Sequence, residues 1–290
     1  MQGTDNSFWV SLSTGNGFTS PALWIQQGDT FHAGQAQYPD VSGDGKIDLV
    51  FQGNDNRFWV NLANVPFPDL LTSITTGLGA TTSITYKPLT DGSVYTKDSG
   101  STYPILDLQF PLYVVSSVTS SNGIGGTVRT DYSYVGAKAD LSGRGLLGFR
   151  QMQGMDVATG LKSLTTFRQD WPFTGLPSQT RKLAPNGTIL TQVDNTYSCN
   201  DFNGGCLIAI GHRYFPFVTQ STQAANDLNG AALPTVTTIN AFGDSYGNAT
   251  EITVSTGDGY SKTTDNTYSN DTIRWFLGRL TGSTVTAHRP

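Results

Sequence analysis

Charge is what this sequence lacks most. Only 13% of its 290 residues are Asp, Glu, Lys or Arg, about half the share usual in globular chains. The 17 Lys and Arg stand against 22 Asp and Glu, and no basic run occurs, so the footprint of a nucleic-acid-binding chain is missing. No stretch approaches the roughly 18 uninterrupted apolar residues of a membrane-spanning helix. Met1-Gln-Gly-Thr-Asp-Asn6 has neither the charged start nor the apolar stretch of a signal peptide. Helix formers are scarce and no amphipathic helical period is visible. Cysteine is reduced to Cys199 and Cys206.

What is abundant points one way. There are 39 Thr and 25 Ser, with 33 Gly, 13 Pro and 11% aromatic residues. Thr, Val and aromatic side chains suit a pleated, half-buried surface, and Gly, Asn and Asp suit tight turns. The fold class expected is all-β. Period-two runs predict strands at Leu70–Thr76, Thr81–Tyr86, Tyr113–Thr119, Thr127–Tyr134, Ser163–Gln169, Thr188–Tyr197 and Thr235–Ala241. Turn signals such as Ser121-Asn-Gly, Pro185-Asn-Gly and Gly257-Asp-Gly separate most of them.

The N-terminal part is different. Gly3-Thr-Asp-Asn-Ser-Phe-Trp-Val-Ser-Leu12 recurs as Gly53-Asn-Asp-Asn-Arg-Phe-Trp-Val-Asn-Leu62, an offset of 50 with seven of ten positions identical. A period near 50 built of short strands marks propeller blades. One period cannot close a ring, so the chain is expected to be part of something longer. Asn64-Val-Pro-Phe-Pro-Asp69 reads as a stiff linker. The expected division is a blade region over 1–64 and a long series of antiparallel hairpins over 65–290.

Among motifs that carry chemistry, Asp40-Val-Ser-Gly-Asp-Gly-Lys-Ile-Asp48 is the sharpest. Asp40, Ser42, Asp44 and Asp48 put side-chain oxygens at positions 1, 3, 5 and 9. Gly45 permits the sharp turn, and Lys46 offers its backbone carbonyl. Ca²⁺ requires such a set of hard oxygen donors. With Phe51 where an EF-hand has its bidentate Glu, and a strand following, the expectation is a structural calcium loop outside the EF-hand class. The alternative is a metal-free Asp-Gly turn. Gly243-Asp-Ser-Tyr-Gly247 satisfies G-x-S-x-G, but a strand follows where a nucleophile elbow needs a helix, so a hairpin turn is expected. His32, His212 and His288 have no neighbours at metal-ligand spacing. Carboxylate pairs for glycoside hydrolysis meet in space, and nothing in the sequence points to one. Phe8-Trp9 and Phe58-Trp59 read as blade core, with a carbohydrate-binding face at Trp9 and Trp59 as the alternative. Cys199 and Cys206 bracket a turn-forming segment and are a candidate disulfide, which would imply an oxidising compartment; two unpaired thiols are the alternative.

These residues bring a family into view. The Asp40–Asp48 loop with Leu49-Val-Phe-Gln-Gly-Asn54 resembles an FG-GAP/VCBS-type calcium blade. Leu70-Leu-Thr-Ser-Ile-Thr-Thr-Gly-Leu-Gly-Ala-Thr-Thr-Ser-Ile-Thr-Tyr86 resembles the middle region of B-type (TcdB/TcaC-like) subunits of bacterial insecticidal toxin complexes and related SpvB-like and RHS/YD-repeat proteins. So do Tyr132-Ser-Tyr-Val-Gly-Ala-Lys-Ala-Asp-Leu-Ser-Gly-Arg-Gly-Leu-Leu-Gly-Phe149 and Tyr268-Ser-Asn-Asp-Thr-Ile-Arg-Trp-Phe-Leu-Gly-Arg-Leu280. The resemblance implies a secreted bacterial assembly in which a propeller gates a translocation channel and a β-shell encloses a toxic effector. Its implied partners are the remainder of the shell, an effector-bearing C-type partner and a channel subunit. No residues match the family's self-cleavage machinery or an ADP-ribosyltransferase motif, so the implied role is non-enzymatic. A secreted, calcium-stabilised adhesion or carbohydrate-binding module is the alternative, and a propeller-type polysaccharide-active enzyme is a third.

Overall fold

The computed structural model describes residues 7–11, 18–26, 36–53, 57–63, 70–200, 214–227, 229–243 and 246–290. Every regular element among them is a strand, as the Thr- and Val-rich, helix-poor composition requires. The chain divides into two compact units: residues 1–70 with 110–112, and residues 71–109 with 113–290. The linker expected at 64–69 lies outside the described residues.

The first unit holds β1 (Ser7–Val10), β2 (Ala22–Gln26), β3 (Leu49–Gln52) and β4 (Phe58–Asn61). β1 pairs antiparallel with β2, β3 pairs with β4, and Gln37 bridges Val50. Ser7–Val10 and Phe58–Asn61, largely equivalent stretches of the two repeat copies, are therefore both strands. They pair in opposite senses along the chain, β1 with the strand after it and β4 with the strand before it. Leu49 and Phe51 alternate inward and are buried, at 0% and 3% exposure.

The second unit is one fifteen-stranded sheet. Its first strands are β5 (Ser73–Thr75), β6 (Thr81–Pro88), β7 (Tyr95–Thr96), β8 (Ile105–Asp107) and β9 (Tyr113–Ser121). Next come β10 (Thr127–Asp140), β11 (Gly145–Asp156), β12 (Lys162–Phe167), β13 (Pro177–Leu183) and β14 (Ile189–Asn200). The last are β15 (Phe215–Ala225), β16 (Val236–Ala241), β17 (Glu251–Thr256), β18 (Ser261–Asp271) and β19 (Phe276–His288). From β9 to β19 each strand pairs antiparallel with the next, and β6 and β5 follow β9 on the far side. Such a meander needs only local turns. They fall where the sequence placed them: Asn122 N–H donates to the Gly126 carbonyl, Ala184 N–H to Thr188, and Thr256 N–H to Tyr260.

β10 is the spine. One edge pairs with β11 for most of its length. The other is shared by three strands: β9 against Thr127–Asp131, β7 against Tyr134 and Val135, and β8 against Lys138–Asp140. β7 runs parallel to β10, the one exception to the expected antiparallel pattern among the described pairs. At the change from β7 to β8 the Ala137 N–H has no strand to bond, and the Tyr95 hydroxyl fills the gap. It accepts from Ala137 N at 3.1 Å and donates to the Leu108 carbonyl at 2.6 Å, so neither group is left buried and unpaired.

Around this point lies the unit's core. Leu89, Val94, Tyr95, Tyr134 and Ala137 are buried, with Leu108, Val114, Tyr132, Phe149 and Met152 packed on them. Tyr134 and Phe149 meet at 4.8 Å between ring centroids. Beyond β14 the character changes: no described residue from 214 onward is buried. β15–β19 are one layer, open on both faces.

Candidate functional site

The Asp40–Asp48 loop is built as a set of carboxylates turned onto their own backbone. Asp40 Oδ1 accepts N–H bonds from Gly43 at 2.7 Å and Asp44 at 3.1 Å, and Asp40 Oδ2 accepts from Gly45 at 2.8 Å. Asp48 is fully buried. Its Oδ2 accepts from Val41 and Ser42, and its Oδ1 from Ala63, at 2.8–3.1 Å. Burial alone pushes the Asp48 carboxyl up, but the N–H donors of Ala63, Ser42 and Val41 outweigh it and hold it below the usual carboxylate range. Asp44 is also held low: burial is outweighed by hydrogen bonds from the Lys46 side chain and backbone. The Lys46 ammonium sits 2.8 Å from Asp44 Oδ2 and 3.3 Å from the Ala63 carbonyl.

The donors expected for calcium are thus brought into one loop, and their chemistry, hard oxygens with excess negative charge, suits Ca²⁺. In this geometry the cation beside Asp44 is Lys46. Among the described residues no three His, Cys, Asp or Glu side chains converge at metal-binding spacing.

Trp9 and Trp59 do not form the blade core expected of them. They are 38% and 46% exposed, and Phe58 beside Trp59 is 72% exposed. Trp9 Nε1 donates to Ser7 Oγ at 2.7 Å, which orients the indole while leaving much of it in water. Cys199 is buried near the end of β14, and Cys206 lies outside the described residues. So do His32, His212, Asp244 and Ser245; His288 is exposed at the end of β19.

Two further features lie outside the motifs read from the sequence. The first is an ion pair across 52 residues: Arg150 Nε and Nη2 each donate to an Asp98 oxygen at 2.8 Å. This bidentate clamp ties the segment between β7 and β8 to β11. Gly136 makes room for it, since a Cβ there would lie 2.3 Å from Asp98 Oδ2. The second is a difference between the ends of the sheet. The β10–β11, β12–β13, β14–β15, β16–β17 and β18–β19 connections share one end. There the Arg144 guanidinium lies 4.4 Å over the Trp171 ring, Trp171 meets Tyr214 edge-on, and Phe217 packs on Phe242 at 4.3 Å. At the same end Trp275 stands 70% exposed with φ 60°. The connections at the other end are rich in Gly and Asn instead. Between neighbouring hairpins, the Tyr197 hydroxyl donates to the Pro177 carbonyl and the Tyr268 hydroxyl to the Ala249 carbonyl.

The model of the family described as the insecticide toxin TcdB middle/N-terminal region matches residues 10–175. No curated protein matches by sequence. A crystal structure of TcdB2-TccC3-Cdc42 superposes with a TM-score of 0.76 at 13% identity, covering 98% of this chain and 18% of that one. The crystal structure of TcdB2-TccC3 gives 0.76 at 12% identity, over 97% of this chain and 18% of that one. A Photorhabdus luminescens Tc holotoxin pore with a mutated TccC3 gives 0.72 at 12% identity, again over 97% and 18%. The likeness is one of fold, and the chain spans about a fifth of the length of these structures' chains. With more than half of its residues matched, the chain belongs to the family of the insecticide toxin TcdB middle/N-terminal region.

Proposed function

We propose that the chain is a non-enzymatic wall segment of a secreted toxin complex, which with the remainder of a β-shell encloses a toxic effector and helps deliver it. The observation that carries this reading is the sheet from β15 to β19. It is a single layer with no buried described residue and an unpaired outer edge at β19, and a sheet edge of that length calls for a partner. A wall needs extended hydrogen-bonded sheet and no reactive side chains. In this reading the effector-bearing partner is of the C type and a channel subunit receives the N-terminal unit; the matched crystal structure holds TcdB2 with TccC3. The Arg- and aromatic-rich end of the sheet has the composition of protein-binding hot spots. Protease protection tests the proposal. An effector assembled inside a shell containing this chain resists digestion until the shell is opened; digestion at the free-effector rate refutes it.

Calcium belongs to the same reading as a structural ligand of Asp40, Ser42, Asp44, Asp48 and the Lys46 carbonyl. The exposure of Trp9, Phe58 and Trp59 favours a second reading, a glycan-binding face on the N-terminal unit. Binding on a glycan array that disappears with Trp59→Ala supports it, and an array with no signal removes it.

A further inference from the structure

Three Asn-Gly steps lie among the described residues, Asn122-Gly123, Asn186-Gly187 and Asn229-Gly230, all in connections at the Gly- and Asn-rich end of the sheet. At such a step the glycine nitrogen can attack the asparagine side-chain carbonyl carbon, because glycine has no Cβ in the way. The three share a sequence but not a geometry. Gly187 N–H donates to the Ala184 carbonyl at 2.9 Å and Gly230 N–H to Asp227 at 2.8 Å, so both nitrogens are held in turn bonds. Among the described residues Gly123 N–H donates to nothing. The acceptor sides differ as well. Asn186 Oδ1 and Asn229 Oδ1 each accept one backbone N–H, from Thr188 and Ala231. Asn122 Oδ1 accepts two, from Ile124 at 3.0 Å and Gly126 at 2.9 Å.

We infer that Asn122 is a built-in self-modification site, where the fold promotes conversion of the amide to aspartate and isoaspartate. The Gly123 nitrogen forms a bond to Asn122 Cγ while negative charge gathers on Oδ1, between the two N–H groups, in the manner of an oxyanion hole. The Cγ–Nδ2 bond then breaks and ammonia leaves, taking up the proton lost from Gly123 N through solvent. Water opens the resulting cyclic imide. The tip is open to it, with Asn122 and Gly123 exposed and Ile124 89% exposed. In the isoaspartate product the carbonyl that holds Gly126 N–H becomes the main-chain carbonyl. The β9–β10 turn therefore keeps that bond and gains a surface carboxylate.

The test is peptide mapping by mass spectrometry of the folded 290-residue chain, held in mildly alkaline buffer made with heavy-oxygen water. Asn122 should convert about tenfold or more faster than Asn186 and Asn229, with heavy oxygen incorporated. In urea the three rates should converge, because the difference is conformational. Ile124→Pro removes one of the two N–H donors at an exposed tip and should slow Asn122 in the folded chain only. Equal rates at the three sites in the folded chain, or a difference that persists in urea, overturns the inference.

Discussion

Gly136→Ala measures how firmly the Asp98–Arg150 clamp holds the segment between β7 and β8. Gly136 has φ 66°, where any L side chain costs about 1–2 kcal/mol. Its new Cβ would also lie 2.3 Å from Asp98 Oδ2, 2.8 Å from Asp98 Cγ and 3.1 Å from Arg150 Cβ. The carboxylate must swing away and both hydrogen bonds to Arg150 are lost. A bidentate charge-assisted pair is among the stronger side-chain interactions. Here the side chains are 42% and 20% exposed, and solvent screening brings its loss to about 1–2 kcal/mol. The expected total is about 3 kcal/mol. Gly148→Ala is the matched control: φ is 77° but a Cβ there meets nothing within 4 Å, so only the conformational cost of about 1 kcal/mol applies. Urea unfolding followed by circular dichroism gives both values. In an Asp98→Ala background the penalty at Gly136 should shrink to that of the control. Equal costs for Gly136→Ala and Gly148→Ala in the parent chain would refute the clamp.

Three further outcomes are expected. Calcium should raise the melting temperature in proportion to occupancy, more in Lys46→Gln than in the parent and not at all in Asp44→Ala; scanning calorimetry with calcium and with chelator checks this, and an equal rise in Asp44→Ala removes the site. Acid should destabilise the chain. Asp98 is held low by Arg150, Asp107 by the Ser101 N–H, Asp140 by the Ser142 hydroxyl, and Asp91 is lowered to about 2 by hydrogen bonds from Ser93 and then Lys87. Carboxyls depressed in the folded state contribute fully above their ordinary value of 3.8 and lose that contribution as pH falls through the folded values. The urea midpoint should therefore be flat down to about pH 5 and fall below it; a midpoint that rises on acidification refutes the assignment. Trp275→Gly should stabilise the β18–β19 turn by about 1 kcal/mol, since Trp275 has φ 60° and packs on little; a lowered melting temperature contradicts that.

The sequence was legible where a strand announces itself locally. Thr81–Pro88, Tyr113–Ser121 and Val236–Ala241 lie within a residue or two of the runs read from alternation, and the Asn-Gly and Asp-Gly turns fall between them. β11 carries no such signal, because Gly145, Gly148 and Gly154 interrupt it. It is a strand because β10 and β12 pair with it from both sides, a tertiary cause that overrides propensity. For the same reason β10 does not stop at Tyr134, where its alternation fades, but crosses Gly136 to Asp140. At the Asp40–Asp48 loop, spacing found the residues but could not say which lone pairs the backbone uses, nor that Lys46 would turn back onto Asp44. Trp9 and Trp59 are exposed in this chain because alternation predicts a buried face only where another layer covers the strand. The Asp98–Arg150 clamp left one trace, a glycine inside a strand pattern, the usual mark of close backbone approach.

The charges are distributed as unevenly as the burial. Residues 1–70 contain seven Asp, one Lys and one Arg, and so carry the whole formal charge of −5; residues 71–290 balance at fifteen of each sign. In the sheet, many cross-strand contacts are made by neutral hydroxyls instead, as between Thr82 and Ser120 at 3.0 Å and Thr253 and Thr263 at 3.1 Å. Such pairs add modestly to each strand junction and project little field beyond the surface. A neutral sheet therefore neither concentrates nor repels a charged polypeptide at long range. For the proposed wall, that neutrality allows effectors of different charge to lie against the same surface, while the N-terminal unit carries the net negative charge.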